Sequence, residues 1–286
     1  MERCQHCGQA HDPGTLKCTT TGYLMSAPGL IGQRVDRYQV ERLLGIGGFG
    51  TVYRARHVHT DATVALKLLK RELNADQSMI ERFMREAKAA SAVGSEHIVG
   101  VLDAGIAADG QAFLVLEFLD GWDLKDLIYR EGPQSPERLV QIVLQALEGL
   151  AAAHARGVVH GDLKLSDLKL FDRDTVRVMG FLTARLRSGP PPSDPAQDVL
   201  ALGRCFAAML SGRTYGKGQS APLSPARDLE KSLPPAVYQV LIRLTAEDPA
   251  RRYPTMADAA DALAKLVPTP VGQPRAFWRR LFALGS

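Results

Sequence analysis

The chain has 286 residues, 35 Lys and Arg against 31 Asp and Glu, and a formal net charge of +4. With 45% hydrophobic residues it is long enough to bury a sizeable core as one large domain or two small ones, which excludes bulk disorder. So small a charge excludes a nucleic-acid binder, and no apolar run reaches the roughly 18 residues of a membrane-spanning helix.

Residues 1–25 are rich in Cys, His, Gly and Thr and poor in apolar residues. No apolar stretch follows the first charges, so no signal peptide is expected, and the four cysteines of the chain read as intracellular. Cys4-x-x-Cys7 with Cys18 is similar to part of a zinc ribbon, with His11 or His6 available as the fourth ligand. Residue 21 is Thr where a second Cys-x-x-Cys would end, so a Zn²⁺ site and a degenerate knuckle both stay open. Residues 26–36, with Pro28, Gly29 and Gly32, read as a connector.

Three β-rich runs follow, Tyr38–Leu44, Gly50–His57 and Thr63–Leu69. Ile80, Phe83, Met84, Ala87 and Ala90 then recur at helical spacing, with Gly94 as the stop. Ile98–Asp103 and Ala112–Glu117 read as two more strands. From there the pattern turns helical. Ser135 and Pro136 open a helix lined by Leu139, Ile142, Val143, Ala146, Leu147 and Leu150. Asp198–Leu210 and Pro235–Ala246 are further apolar helices, and a last one begins at Thr255 with Asp258 three residues on. The order predicts an α+β fold, with a small β-rich lobe before a larger α-helical one.

Gly45, Gly47 and Gly50 stand in G-x-G-x-x-G spacing, which lets backbone N–H groups approach phosphate oxygens. Thr51, Val52 and Tyr53 follow where a dinucleotide-binding loop would open a helix, so the loop is expected to join two strands. Lys67 closes a V-A-L-K run in the next strand but one, and Glu86 lies on the helix after it.

From these residues onward, positions 37–266 resemble the eukaryotic-type Ser/Thr protein kinases of bacteria. The resemblance implies a bilobal protein-kinase-like fold, with an N-lobe over 37–117 and a C-lobe over 118–266. It implies an ATP site formed by Gly45, Gly47, Gly50, Val52, Ala65, Lys67, Glu86, Leu116, Glu117, Leu119 and Asp123. In that scheme Lys67 holds the α/β-phosphates with Glu86 as its partner, Leu116 is the gatekeeper, Glu117 and Leu119 border the adenine, and Asp123 reaches the ribose. His160–Asp167 resembles the catalytic loop, with Asp162 as base and Lys164 as a γ-phosphate contact. Asp198 takes the place of a buried helix anchor, and His160 and Phe181 belong to an apolar column joining the lobes.

The departures from the family pattern carry the functional expectation. The metal-binding Asp of Asp-Phe-Gly is Gly180, the Gly is Leu182, and the Arg before the catalytic Asp is Gly161. Asp167 replaces the metal-binding Asn and leaves one weak Mg²⁺ ligand. Only 17 residues separate Gly180 from Asp198, too few for a complete activation segment, and Ala-Pro-Glu is absent. Arg252 thereby loses its usual glutamate partner. Lys169 stands where an apolar residue lies under the adenine. Two readings stay open. The first is a pseudokinase that binds ATP and acts as a scaffold or allosteric partner of other signalling proteins, an active kinase among them. The second is a divergent active kinase that uses Asp167 alone for metal.

The tail over 267–286 opens with Pro268, Pro270 and Pro274. Lys265, Arg275, Arg279 and Arg280 are unopposed by any acid from residue 262 on, beside Phe277, Trp278 and Phe282. A cytoplasmic protein is expected, with residues 275–284 either touching a membrane surface peripherally or docking on a partner or on the kinase-like body.

Overall fold

In the computed structural model, residues 30–172, 174–181, 194–213, 229–231 and 233–266 are described. The candidate zinc ligands Cys4, Cys7, His11 and Cys18, the basic tail, and Leu182 with most of the shortened interval before Asp198 lie outside them.

Nine strands and seven α-helices form two lobes among the described residues. The first holds β1 (Arg34–Val35), β2 (Tyr38–Ile46), β3 (Gly50–His57), β4 (Thr63–Leu69), β5 (Val101–Ile106) and β6 (Ala112–Glu117). They make one antiparallel sheet in the order β1-β2-β3-β4-β6-β5. The period-2 alternation of β4 shows why it sits centrally. Val64, Leu66 and Leu68 join Tyr38, Val40, Tyr53, Phe113 and Val115 on one face. The opposite face is built from Ala65, Lys67 and Leu69, and Leu69 packs with Leu114 against Ile80, Phe83 and Ala87. Those three belong to α2 (Gln77–Ser91), which follows the short α1 (Arg71–Asn74) and is capped by the Asp76 side chain on the Ser78 N–H.

Two boundaries differ from the sequence reading. Arg34 and Val35, placed in the connector, pair with Gln39 and Tyr38, so the sheet begins before residue 37. The strand expected over Ile98–Asp103 starts instead at Val101. Ile98 and Val99 leave the sheet to bridge Val178 in the other lobe, where the Val99 N–H reaches the Val178 carbonyl at 2.9 Å.

The second lobe begins with β7 (Gly121–Asp123), α3 (Leu124–Glu131) and α4 (Pro136–Ala155). β8 (Leu168–Phe171) pairs with β7 on one side and β9 (Thr175–Val178) on the other, in a three-stranded antiparallel sheet. Then come α5 (Ala196–Ser211), α6 (Pro235–Leu244) and α7 (Met256–Ala264). Ser135 caps α4 through the Arg138 N–H, and Thr255 with Asp258 forms a reciprocal capping box. One apolar core unites α4, α5, α6 and α7 with the inner face of the small sheet. Cys205 lies inside it as a free thiol, pushed up to about 12 by burial.

The lobes are joined behind the cleft by a buried polar contact. His97 Nε2 lies 3.0 Å from Glu148 Oε2 on α4, and the Val178 N–H donates to the His97 carbonyl. Burial alone would lower the His97 pKa, but Glu148, ahead of Glu96, outweighs it and raises the value. A raised folded pKa stabilises the fold below the unfolded value of ~6.5, and that gain is lost as pH rises through the folded pKa. Urea melts from pH 5.5 to 8.5 are therefore expected to show the wild type losing about 1 kcal/mol more than Glu148→Gln. Parallel pH profiles for the two proteins would contradict this role of the pair.

Candidate active site

The cleft face of the first lobe starts with the β2–β3 hairpin. The Gly47 N–H donates to the Gly50 carbonyl at 2.8 Å, which closes the glycine-rich turn. A Cβ on Gly50 would stand 2.5 Å from the Leu68 carbonyl oxygen and 3.4 Å from Lys67 Cε. Glycine is therefore required there for the loop to press on β4 beside the lysine. Val52 pairs with Lys67 across β3–β4, and Ala65 pairs with Leu116 across β4–β6. The four half-buried side chains share one sheet face. Glu86 lies on the buried face of α2.

Desolvation in the cleft brings the Lys67 ammonium down to about 8. Asp167 acts against that shift and Lys164 with it, so charges from the second lobe reach Lys67 across the cleft. A desolvated cation facing a glycine turn is the chemistry that holds phosphate oxygens. The residues present fit a nucleotide's phosphates at this end of the cleft.

The loop from His160 to Asp167 is held from below. Asp198, fully buried at the start of α5, accepts the Gly161 N–H at 2.7 Å and the His160 N–H at 2.8 Å. The same carboxylate takes His154 Nε2 at 2.8 Å. His160 Nε2 donates to the Met179 carbonyl at 2.9 Å, and its Nδ1 accepts the Asp162 N–H at 3.4 Å, so both ring nitrogens are engaged. The Phe181 ring lies 4.8 Å from the imidazole, tilted by 56°.

Above this support Lys164 Nζ stands between two carboxylates, 3.6 Å from Asp162 and 3.7 Å from Asp167. Burial pushes Asp167 up to about 6, against the pull of His160 and Lys164. Gly180 completes the group with φ +96°, a left-handed conformation that favours glycine. A Cβ there would meet Asp167 Oδ1 at 3.0 Å and His160 Nε2 at 3.4 Å. The position that carries the metal-binding Asp in the family pattern is thus in contact with Asp167 but supplies no oxygen. Among the described residues, no group of three His, Cys, Asp or Glu gathers as a metal site. A single carboxylate at the two metal positions does not fit the oxygen set that Mg²⁺ requires.

At the other end of the cleft the residues expected at the adenine and ribose make contacts within the chain. Glu117 Oε1 accepts the Gly100 N–H at 2.8 Å, and its Oε2 pairs with Arg177 of β9. Leu119 is half-buried in the segment between the lobes. Asp123, assigned to the ribose by resemblance, caps α3 by accepting the Asp126 N–H at 2.8 Å. Its cross-strand neighbour is Lys169, whose Nζ donates to the Gly121 carbonyl at 2.6 Å.

Arg252, without its usual glutamate, takes backbone carbonyls as partners instead. Its guanidinium donates to the carbonyls of Ala246 at 2.6 Å, Glu247 at 2.8 Å and Ala196 at 3.3 Å, tying α5 to the end of α6. Arg177 and His154 went unnoticed in the sequence. Neither sits in a motif, and both take their roles from partners far along the chain.

Residues 38–191 match the protein kinase domain family. The Ser/Thr protein kinase pkn3 of Myxococcus xanthus is 32% identical over 268 residues, covering 79% of this chain and 49% of that protein. PknB of Mycobacterium tuberculosis is 30% identical over 277 residues, covering 84% of this chain and 44% of the relative. The chain thus spans about half the length of the curated relatives it matches. The crystal structure of the M. tuberculosis PknI kinase domain superposes with a TM-score of 0.67 at 26% identity, over 82% of this chain and 97% of that one. The sheet-built first lobe, the helical second lobe and these relatives agree: the chain belongs to the bacterial eukaryotic-type Ser/Thr protein kinase family.

Proposed function

We propose that this protein is a catalytically impaired kinase that retains a nucleotide-phosphate site and acts as a scaffold or allosteric partner of other signalling proteins. The observation that carries the reading is Gly180. It supplies no side-chain ligand, and any Cβ there would press on Asp167, the other metal position, at 3.0 Å. The glycine turn, Lys67 and Lys164 support retention of phosphate binding.

A divergent active kinase is the second reading. The placement of Asp162 and Lys164 within 4 Å of each other, beside Asp167, favours it. Thermal-shift titration with ATP separates the readings. ATP is expected to raise the melting temperature equally with and without Mg²⁺, by about 2.7 kcal/mol of stabilisation at 100-fold excess over Kd. Stabilisation that needs Mg²⁺ favours the active enzyme, and no stabilisation removes the nucleotide site from the account.

A further inference from the structure

The three-stranded sheet of the second lobe has two unlike faces. Leu168, Leu170, Val176 and Val178 turn into the helical core. The other face carries Asp123, Lys169 and Arg177 as one cross-strand row. This row looks across the cleft at the first lobe. Arg177 pairs with Glu117 at the end of β6, and Arg42 of β2 is close enough to act on Lys169. Lys169 is the middle member of the row.

Its side chain is tied down. Nζ donates to the carbonyl of Gly121, in the strand that follows the connection between the lobes. Asp123, then Asp126 and Asp120, favour the ammonium against its burial, while Arg42 opposes it. The aliphatic stem therefore crosses from β8 to β7 along the cleft floor, with a partly desolvated charge at its end. A purine is flat and apolar on its faces, and seating one here requires either displacing this stem or covering a charge already short of water. Displacement breaks a hydrogen bond from a charged donor. The phosphate end is separate: Lys67 lies beside Gly50, and Lys164 stands between Asp162 and Asp167.

We propose that Lys169 plugs the nucleobase seat of the cleft and sets the nucleotide affinity of this protein, leaving the phosphate subsite open. This inference rests on the proposed nucleotide site, and base-containing and base-free probes separate the two. Calorimetric titration of the full chain in Mg²⁺-free buffer would use ATP and inorganic tripolyphosphate. Lys169→Leu and Lys169→Met are compared with wild type; the second keeps the length of the side chain if the first misfolds. Both variants are expected to lower the ATP Kd about tenfold or more, the worth of a charged hydrogen bond, while tripolyphosphate affinity stays unchanged. If wild type and variants bind ATP equally, the plug is overturned and the nucleotide site stands. Weaker ATP binding in the variants makes Lys169 a ligand contact and also overturns the plug. Absence of binding by either probe in every protein overturns both proposals.

Discussion

Replacing Asp198 with Ala is expected to cost about 3–5 kcal/mol of stability, because it strips a buried acceptor from three donors at once. The Gly161 and His160 N–H groups and His154 Nε2 all point at this carboxylate, each within 2.8 Å. The acceptor itself and His160 are fully buried, so water does not readily take the carboxylate's place. A domain of this size loses roughly 2–4 °C of melting temperature per kcal/mol, so the variant should melt about 10–15 °C lower. Asp198→Asn should fall between, as it keeps one oxygen but turns an amide NH₂ toward donors. Circular-dichroism melts check this. A shift under 3 °C for Asp198→Ala would mean that the His160–Asp167 loop is held by something other than this anchor.

The same anchor shows how far the sequence can be read. Asp198 opens an apolar helix, a position where a polar side chain has to be satisfied, and its place was legible. So were the alternation of β4, the glycine turn, Lys67 and the caps at Ser135 and Thr255. Each is a local pattern or a residue inside a dense motif. What could not be read depends on contacts between distant segments. Ile98 and Val99 have the composition of a strand, but Val178 of the other lobe claims them. Glu117 is legible only as bordering the cleft, and its carboxylate contacts with Gly100 and Arg177 come from segments distant in sequence. Asp123, a ribose contact by resemblance, also caps α3, a role that the L-K-D after it could have signalled. Arg252 shows the reverse case. The loss of its expected glutamate was visible in sequence, but the three carbonyls that replace it come together only in the folded lobe.

Gly180 turns the absence of one side chain into a functional expectation. Phosphoryl transfer is carried mainly by positioning and by neutralising charge on the phosphates, and losing one such contact typically costs 10²–10³-fold or more in rate. Among the described residues, no carboxylate takes its place. The Asp162 and Asp167 carboxylates are already engaged with Lys164 Nζ, and a Cβ at residue 180 would crowd Asp167. In the proposed reading, the base position of Asp162 therefore has no metal-activated phosphoryl group to serve.

The direct measurement is transfer from γ-labelled ATP to generic Ser/Thr protein substrates, with Mg²⁺ or Mn²⁺, by the full chain and by Asp162→Asn. The account predicts incorporation indistinguishable between the two proteins and at the level of a no-enzyme control. Robust turnover by the wild type that disappears in Asp162→Asn would contradict it and establish a working kinase built on Asp167 alone.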